Sequence, residues 1–272
     1  MIEIRNLTFR YPSGLEALRN ISLRIGKTDF VVIMGENGAG KTTLLKHING
    51  LLRPTKGDVF IDGINTRGTN VADLARRVGL VFQNPDHQFF RESVDAEIRF
   101  ALENFGFDAE QIEKRVDWAV KFFGLRDYLD RSPFLLSGGE KKRVAMASVL
   151  AWDPDYILFD EPTLGQDHRQ KKRLLRLLLG LQRRGKTIVL TTHDVEFASL
   201  CGQRIVLMRR GGLIADGDAR SILTDEATLR RASIIPPQVA QISLALSDIG
   251  FPKTHDIMEA KEAILEYLGG GD

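Results

Sequence analysis

Short runs of apolar residues recur along the chain and are bounded by Gly, Asp or Asn. Runs of this kind, rich in Val, Ile and Phe, predict β-strands. They occupy residues 30–34, 59–62, 78–82, 156–160, 187–191 and 204–208. Several are nearly continuous in apolar residues, which is typical of strands buried on both faces of a parallel sheet. Helical patterns separate many of them, so we predict an α/β protein.

Between about residues 92 and 151 the pattern changes to helices alone. Ser93 is a candidate N-cap, because apolar residues follow it at the spacing of one helix face. These residues are Val94, Ile98, Ala101, Leu102 and Phe105. Asp108 and Gln111 predict the capping box of a second helix, and Gly124 is placed to end it. We therefore predict a helical subdomain, about residues 84–151, inserted in the α/β core.

Composition narrows the class of protein. The 272 residues include 38 Lys and Arg against 36 Asp and Glu, a net charge of +2, which gives no global reason to expect nucleic acid. Cys201 is the only cysteine, so no intrachain disulfide is possible, as expected in a reducing cytosol. The N-terminus lacks a signal-peptide pattern, and the apolar runs are far shorter than the ~18 residues that span a bilayer.

A glycine-rich segment directly after the apolar run 30–34 matches the pattern G-x-x-x-x-G-K-[ST]. It consists of Gly35, Glu36, Asn37, Gly38, Ala39, Gly40, Lys41, Thr42 and Thr43. The glycines let backbone N–H groups converge on phosphate oxygens, and the next helix adds its dipole. Lys41 would reach the β- and γ-phosphates, and the Thr42 hydroxyl would coordinate Mg²⁺. This strand-to-helix context favours an ATP site over a turn without a ligand.

Two carboxylates, Asp160 and Glu161, end the apolar run 156–160. The carboxyl end of such a strand is where α/β sheets bind ligands. Asp160 would anchor the metal, and Glu161 would polarise the attacking water as a general base. Alone, this pattern favours a solvated strand end, and the phosphate cradle upstream reverses that preference in favour of the catalytic interpretation.

A third motif is formed by Ser137, Gly138, Gly139 and Glu140, just before a helix. Ser137 and Glu140 have capping-box spacing, in which the serine caps the Glu140 N–H and the glutamate reaches back. Capping does not explain the two glycines, since glycine is poor in a first helical turn. Two glycines at a capped N-terminus expose backbone donors to an anion.

These motifs, with Gln83, Thr163, Asp167 and His193, stand in the order and approximate spacing of ATP-binding-cassette (ABC) ATPases, which the chain resembles over about residues 1–218. The resemblance implies a P-loop NTPase with a mainly parallel sheet core, an antiparallel β part and the helical subdomain. A small helical extension would follow at residues 219–272. ATP would be the substrate and Mg²⁺ the cofactor.

The same resemblance assigns roles to single residues. Tyr11 would stack on the adenine, Gln83 would sense the γ-phosphate and Mg²⁺, and His193 would contact the γ-phosphate. Asp167 would lie in the loop that crosses the dimer, and the motif 137–140 would grip the ATP held by the opposing subunit. Simpler roles stay open: a turn residue for Tyr11, a strand-end amide for Gln83 and a structural histidine for His193.

Residues 81–90, 94–98 and 103–106 resemble the ATPases of energy-coupling factor (ECF) transporters and related cobalt and nickel importers. In that family the ATPases pair and drive an integral-membrane coupling subunit, which works with a membrane subunit that captures the substrate. The cargo is usually a vitamin or a transition-metal ion. The resemblance therefore places this chain peripherally, at the cytoplasmic face of the cell membrane.

Three departures from the family pattern are visible. Glu140 stands where Gln is usual, Gln166 where Leu is usual, and Thr28-Asp29 where Gly-Glu is usual. None removes a residue assigned to hydrolysis. The first two fall at the dimer contact of the family, so a homodimer and a heterodimer both remain open.

Other functions are weighed against this one. A basic run at residues 169–186 lacks the interleaved aromatics of a nucleic-acid surface, and Leu174, Leu178 and Leu181 predict an amphipathic helix there. A non-transport ABC ATPase, acting as a mechanical switch in DNA repair or translation, is the main alternative. It fits less well, because the chain has one cassette and no room for a long coiled coil between Gln83 and Ser137. The presence of Glu161 and His193 disfavours a regulatory module that binds ATP without turnover.

Two segments are predicted to contact partners. Segment 84–91 carries Phe89 and Phe90, which would form a groove for a helix of a membrane subunit or pack inside the helical subdomain, and Asp86 would pair with an arginine of that helix. In the extension, Pro237 would open a helix and Gly250 would end it. Its predicted apolar face is Val239, Ile242, Leu246 and Ile249, with a further helix marked by Ile257, Ile264 and Leu268. The extension would contact the second ATPase subunit.

Overall fold

The structure is a computed structural model that describes residues 1–269, so residues 270–272 of the predicted extension lie outside the described residues. Within the described part there are ten strands: β1 Ile2–Arg10, β2 Glu16–Ile25, β3 Phe30–Met34, β4 Lys56–Ile61, β5 Ile64–Asn65, β6 Val78–Val81, β7 Tyr156–Asp160, β8 Thr187–Thr192, β9 Arg204–Arg209 and β10 Gly212–Asp218. The same part has eleven α-helices: α1 Lys41–Ile48, α2 Val71–Ala75, α3 Val94–Asn104, α4 Ala109–Phe123, α5 Gly138–Leu150, α6 His168–Arg183, α7 Val195–Cys201, α8 Ala219–Leu223, α9 Glu226–Arg231, α10 Gln238–Ala245 and α11 Ile257–Gly269. None of these helices is long and apolar enough to cross a membrane.

The larger sheet has six strands in the order β10-β9-β3-β8-β7-β6, and every neighbouring pair is parallel except β10 with β9. Strands β3, β7 and β8 are buried at every position, which explains their continuous apolar runs. The predicted strands 30–34 and 156–160 are confirmed at those bounds, and the others differ only at their ends.

The register of this sheet positions the site. Met34 of β3 is level with Thr192 of β8, and Asp160 of β7 is level with Thr191. Because parallel strands share one carboxyl edge, the segments that follow β3, β7 and β8 meet there. This is the edge at which open α/β sheets bind their ligands.

A second, antiparallel sheet has the order β2-β1-β4-β5. The side chains of β3 alternate between two layers: Val31 and Ile33 pack with this sheet, whereas Phe30, Val32 and Met34 pack with the helices. The apolar-run pattern missed β1, β2 and β10, because exposed residues interrupt each of them. The resemblance did predict an antiparallel part, and it is present.

The helical subdomain is built from α3, α4 and α5, which contact one another. The predicted caps at Ser93, Asp108 and Gly124 are confirmed, but of the predicted capping box only the Asp108 half is present. The Ser93 hydroxyl accepts a hydrogen bond from the Ala96 N–H, and the Asp108 carboxylate accepts one from the Gln111 N–H. Gly124 follows α4 in the left-handed conformation, at φ 62°.

The extension differs from its predicted pattern. Pro237 precedes α10 instead of opening it, and α10 ends at Ala245, before a short 3₁₀ turn that leads to Gly250. The predicted apolar face is wrong, because α10 buries its small residues Ala240 and Ser243. Of the predicted face, Ile242 and Ile249 are exposed, and Val239 and Leu246 are half-buried.

The start of the extension packs in the main core. Ala219, Ile222, Leu223, Leu229 and Ala232 are buried there with residues of the helical subdomain and the large sheet. The division into residues 1–218 and 219–272 therefore stays a prediction, and α8 and α9 belong to the packed body of the molecule.

Candidate nucleotide site

The glycine-rich segment 35–43 leads from β3 into α1, whose first residue is Lys41. Gly38 and Gly40 have φ values of 81° and 101°, a region that glycine adopts at little cost. A Cβ on Gly35 would lie 2.2 Å from the carbonyl oxygen of Met208, so only glycine fits. The segment has the close-turning backbone that a phosphate cradle at a helix N-terminus requires.

The Lys41 ammonium is buried between the cradle and the end of β7. Its Nζ donates a hydrogen bond to the Gly35 carbonyl oxygen over 2.7 Å and lies 3.3 Å from Oε1 of Glu161. These contacts fix the charge at the mouth of the loop, where a phosphate would meet it.

Asp160 is held by two hydroxyls from distant parts of the chain. The Thr42 hydroxyl donates to Oδ2 over 2.8 Å, and the Thr191 hydroxyl donates to Oδ1 over 2.7 Å. Hydroxyl and carboxylate oxygens are the ligands that Mg²⁺ prefers, so the pair of Thr42 and Asp160 fits the metal. Gln83, the third predicted ligand, is exposed and lines the same cleft.

Glu161 has a strained backbone, with φ 46°, and such strain costs on the order of 1–3 kcal/mol unless its surroundings hold it. Its N–H donates to the Thr191 carbonyl oxygen over 3.1 Å. Oε2 accepts from the His193 N–H and lies 2.9 Å from the ring Nδ1. Oε1 is buried, and among residues 1–269 it accepts no hydrogen bond. The Lys41 ammonium lies 3.3 Å from this oxygen, so Oε1 is ion-paired. Glu161 lines the nucleotide cleft, and a carboxylate there can accept a proton from a bound water.

Tyr11 stands at the other end of the cleft. Its hydroxyl lies 3.1 Å from the Thr43 hydroxyl, and its ring meets Phe9 edge to face, with centroids 4.8 Å apart. The side chain is half-buried, so part of it remains accessible. This placement is compatible with the predicted adenine contact.

One cleft of about 660 Å³ brings most of the predicted residues together. It is lined by Tyr11, Asn37, Gly38, Ala39, Gly40, Lys41, Thr42, Thr43, Gln83, Glu161 and His193. The volume suits a ligand of nucleotide size.

The motif 137–140 lies elsewhere. Ser137, Gly139 and Glu140 line a second cleft of about 740 Å³, together with Gln166 and Gln170, and none of them lines the nucleotide cleft. Gly138 is the first residue of α5. A single chain therefore does not bring this motif to its own phosphate cradle.

Glu140 is tied to its neighbour. Its Oε2 accepts hydrogen bonds from the Ser137 hydroxyl over 2.7 Å and from the Ser137 N–H over 2.8 Å. These bonds lower the pKa of Glu140 to about 2, so the carboxylate is charged at neutral pH. The predicted reach of Glu140 back to Ser137 is present.

Asp167 begins the next helix instead of facing the nucleotide cleft. Its carboxylate accepts from the Gln170 N–H over 2.8 Å and caps α6. Asp167 is exposed, as a residue of a loop that contacts a second subunit would be.

Comparison with known proteins decides the family. Residues 18–164 match the family model described as ABC transporter. The chain belongs to the ABC transporter family. The prediction drawn from the motifs is thus confirmed, and so is the ABC ATPase fold.

The names of proteins similar to this ABC protein specify the kind of transporter. The energy-coupling factor transporter ATP-binding protein EcfA of Methanothermobacter thermautotrophicus is 39% identical, over 99% of this chain and 88% of that protein. The structure of cbiO1 from Clostridium perfringens, described as part of the ABC transporter complex cbiONQ, is 32% identical with a TM-score of 0.74, over 92% of this chain and 96% of that one. A dimeric ATP-binding cassette in a post-hydrolysis state, bound to ADP and Pi, is 33% identical with a TM-score of 0.74, over 81% and 99% of the two chains. The predicted resemblance to ECF-type ATPases is confirmed.

Some residues of the site carried no signal in the sequence. Thr191 orients Asp160, but a threonine inside an apolar run reads only as a strand residue. Leu15, Ala17 and Arg210 also line the nucleotide cleft, and they come from β2, the residues before it and the turn after β9. Only the tertiary structure places them beside the cradle.

Proposed function

We propose that this ABC ATPase hydrolyses ATP to power an ECF-type membrane importer of vitamins or transition-metal ions. The observation that carries the proposal is the phosphate end of the nucleotide cleft, where the Glu161 carboxylate stands between the Lys41 ammonium and the His193 ring. The names of the relatives support the transport assignment. No observation favours the alternative of a switch in DNA repair or translation.

Each residue at the phosphate end of the cleft has its own role in ATP binding or hydrolysis. Lys41 and the N–H groups of the cradle bind the phosphates, and Glu161 accepts the proton of the attacking water. His193 orients the Glu161 carboxylate through Oε2. Thr42, Asp160 and Gln83 would hold Mg²⁺, which would neutralise charge at the phosphates.

A second ATPase subunit completes the site. Ser137 and Gly139 line a different cleft from Lys41 and Glu161, so the donors of the motif 137–140 are free to meet a nucleotide held by another chain. That subunit is either a second copy or a related chain. Binding of ATP would close the pair, and hydrolysis would reopen it.

The extension would keep the two ATPase subunits in contact when no nucleotide is bound. Helix α11 and the residues before it leave large apolar side chains exposed, among them Ile249, Ile257, Leu265, Tyr267 and Leu268. Apolar side chains grouped in this way indicate an interaction surface. We assign this surface to the second ATPase subunit.

An apolar groove lies beside the segment that follows Gln83. It has a volume of about 560 Å³ and is lined in part by Leu51, Val71, Phe90, Phe100 and Trp152. A groove of this kind suits an amphipathic helix. We assign this groove to the integral-membrane coupling subunit, which would work with a substrate-capturing membrane subunit. Such a contact would hold the ATPase at the cytoplasmic face of the cell membrane.

The test is purification of the tagged chain from mild-detergent extracts of its own cells, with identification of the proteins that accompany it. The proposal expects one or two integral-membrane proteins and, if the pair is heteromeric, a second ATPase. Recovery of the chain with repair or ribosomal proteins, and without membrane proteins, would overturn the transport assignment.

A further inference from the structure

Three polar side chains from separate segments meet at one small cavity of about 10 Å³. Gln83 follows β6, Lys142 stands in the first turns of α5, and Gln166 directly precedes Asp167. The rest of the lining is largely apolar and includes Val81, Phe82, Pro85, Ala145, Met146 and Pro162. We call Gln83, Lys142 and Gln166 the polar junction.

Lys142 bonds to backbone instead of to an acid. Its Nζ donates to the carbonyl oxygen of Leu164 and, over 3.4 Å, to that of Pro162. Within residues 1–269 it forms no ion pair, and burial lowers the pKa of its ammonium group. A partly buried cation without a carboxylate is costly, so its carbonyl contacts matter to the placement of the loop.

Gln166 lines the polar junction with an unsatisfied hydrogen-bond acceptor. Its Oε1 is buried and, in the described part of the chain, has no hydrogen-bond donor. A lysine ammonium has three donors, and Lys142 uses two of them on the loop carbonyls. The junction therefore holds a spare donor and a spare acceptor, and small rearrangements can pair them.

Lys142 connects the helix that begins in the motif 137–140 with the residues after Glu161. Helix α5 begins at Gly138, in the motif that we assign to the partner's ATP. The carbonyl groups that Lys142 holds belong to the residues directly after Glu161, whose strained backbone persists only because its surroundings fix it. Lys142 therefore connects α5 with the turn that follows Glu161.

We propose that Lys142 is a positioning residue for ATP hydrolysis, which links engagement of the motif 137–140 by a second subunit to the alignment of Glu161. Gln166 and Gln83 share the junction, so the dimer-crossing loop and the γ-phosphate sensor respond to the same movement. The inference rests on the proposed roles of Glu161 and of the motif 137–140.

Lys142→Met in the full chain, assayed with its ATPase partner, tests the proposal. It keeps an unbranched stem as far as Cε and removes the ammonium donors. We expect kcat to fall roughly tenfold or more while KM and the Kd for ATP change less than about twofold, because the phosphate contacts remain. Lys142→Gln, which restores a donor one bond shorter, is expected to recover much of kcat.

Two further variants sharpen the test. Lys141→Met is the matched control, since the neighbouring lysine pairs with Asp86 at 2.8 Å and does not line the junction. Its kcat is expected within about twofold of the wild type. Gln166→Leu removes the spare acceptor, and its effect combined with that of Lys142→Met is expected to be less than additive.

A kcat for Lys142→Met within about twofold of the wild type would overturn the inference, as would an equal loss in Lys141→Met. If Lys142→Met does not fold, shown by a lost thermal transition, Lys142→Leu, which also lacks a donor, carries the test, and wild-type kcat in that variant overturns it. If Glu161→Gln hydrolyses ATP slowly while Lys142→Met keeps the wild-type kcat, this inference is rejected and the proposed role of Glu161 stands. Full activity of Glu161→Gln would reject the proposed role of Glu161 instead.

Discussion

At the scale of single residues, the nucleotide cleft depends on partners that are far apart in the chain. Thr42 and Thr191 both donate to Asp160, and Lys41 and His193 both approach Glu161. The motifs predicted Lys41, Thr42, Asp160 and Glu161, because each needs its residue type at a fixed spacing. The burial and contacts of Lys142 depend on packing between α5 and a distant loop, which no local pattern encodes.

Lys41→Ala should weaken ATP binding. The substitution removes a buried charge-assisted contact to phosphate, worth ~1.5–3 kcal/mol, or roughly 10- to 150-fold in Kd. Titration calorimetry with ATP measures the change. Lys46→Ala, on the same helix and outside the cleft, is the control. Equal affinities in Lys41→Ala and the wild type would count against the cradle assignment.

At the scale of elements, the predicted coupling segment divides into two parts. Phe89 is 5% exposed and packs against Phe134, whereas Phe90 is 72% exposed and lines the apolar groove. Asp86 pairs with Lys141 in this chain, so an arginine of an incoming helix would have to compete for it. The sequence located the segment, but two adjacent phenylalanines give no sign of which one faces inward.

Phe90→Asp and Asp86→Arg should both abolish co-purification with the membrane coupling subunit and leave basal ATPase activity largely intact. The first places a charge in the apolar groove, and the second reverses the charge beside it. Leu200→Asp, a substitution at a similarly exposed apolar residue on α7, is the control. Detergent-solubilised complexes, compared by affinity purification and mass spectrometry, give the readout. Intact complexes in both variants would remove the groove from the coupling interface.

The elements also show where periodicity succeeds and fails. The helices α3 and α4 follow their apolar pattern because they cover a large core. Helix α10 does not, since Ile242 is 50% exposed while Ser243 is buried and bonds to the Thr254 carbonyl oxygen. A side chain–backbone bond across the extension decided which face turned inward, and apolar spacing does not reveal such a bond.

At the scale of the whole molecule, the nucleotide cleft and the cleft lined by Ser137, Gly139 and Glu140 share no lining residue, which supports the proposal of a second subunit. After α9, the extension is joined to the preceding elements by the Gln238 N–H on Glu196 and by the ion pair of Arg220 in α8 with Glu259 in α11. Its apolar side chains Leu265 and Leu268 are exposed. We proposed the two clefts as the reason for a second subunit and the extension as its nucleotide-free contact.

Removal of the extension should weaken subunit association without nucleotide. The cut belongs after Ile234, because α8 and α9 help to fill the core. The double variant Leu265→Asp and Leu268→Asp keeps the backbone and tests the same apolar surface. Analytical ultracentrifugation without ATP, with the proper partner chain, measures association. Pairing as tight as that of the full chain in both proteins would show that the extension serves its own subunit only.

The most direct test of the account is the rate of ATP hydrolysis by Glu161→Gln, measured with its ATPase partner at saturating Mg²⁺-ATP. The substitution keeps the shape of the side chain and removes its ability to accept a proton. If Glu161 is the general base, hydrolysis slows by ~10²–10⁴ while ATP still binds, and an ATP-bound pair accumulates. Hydrolysis at the wild-type rate would contradict the account.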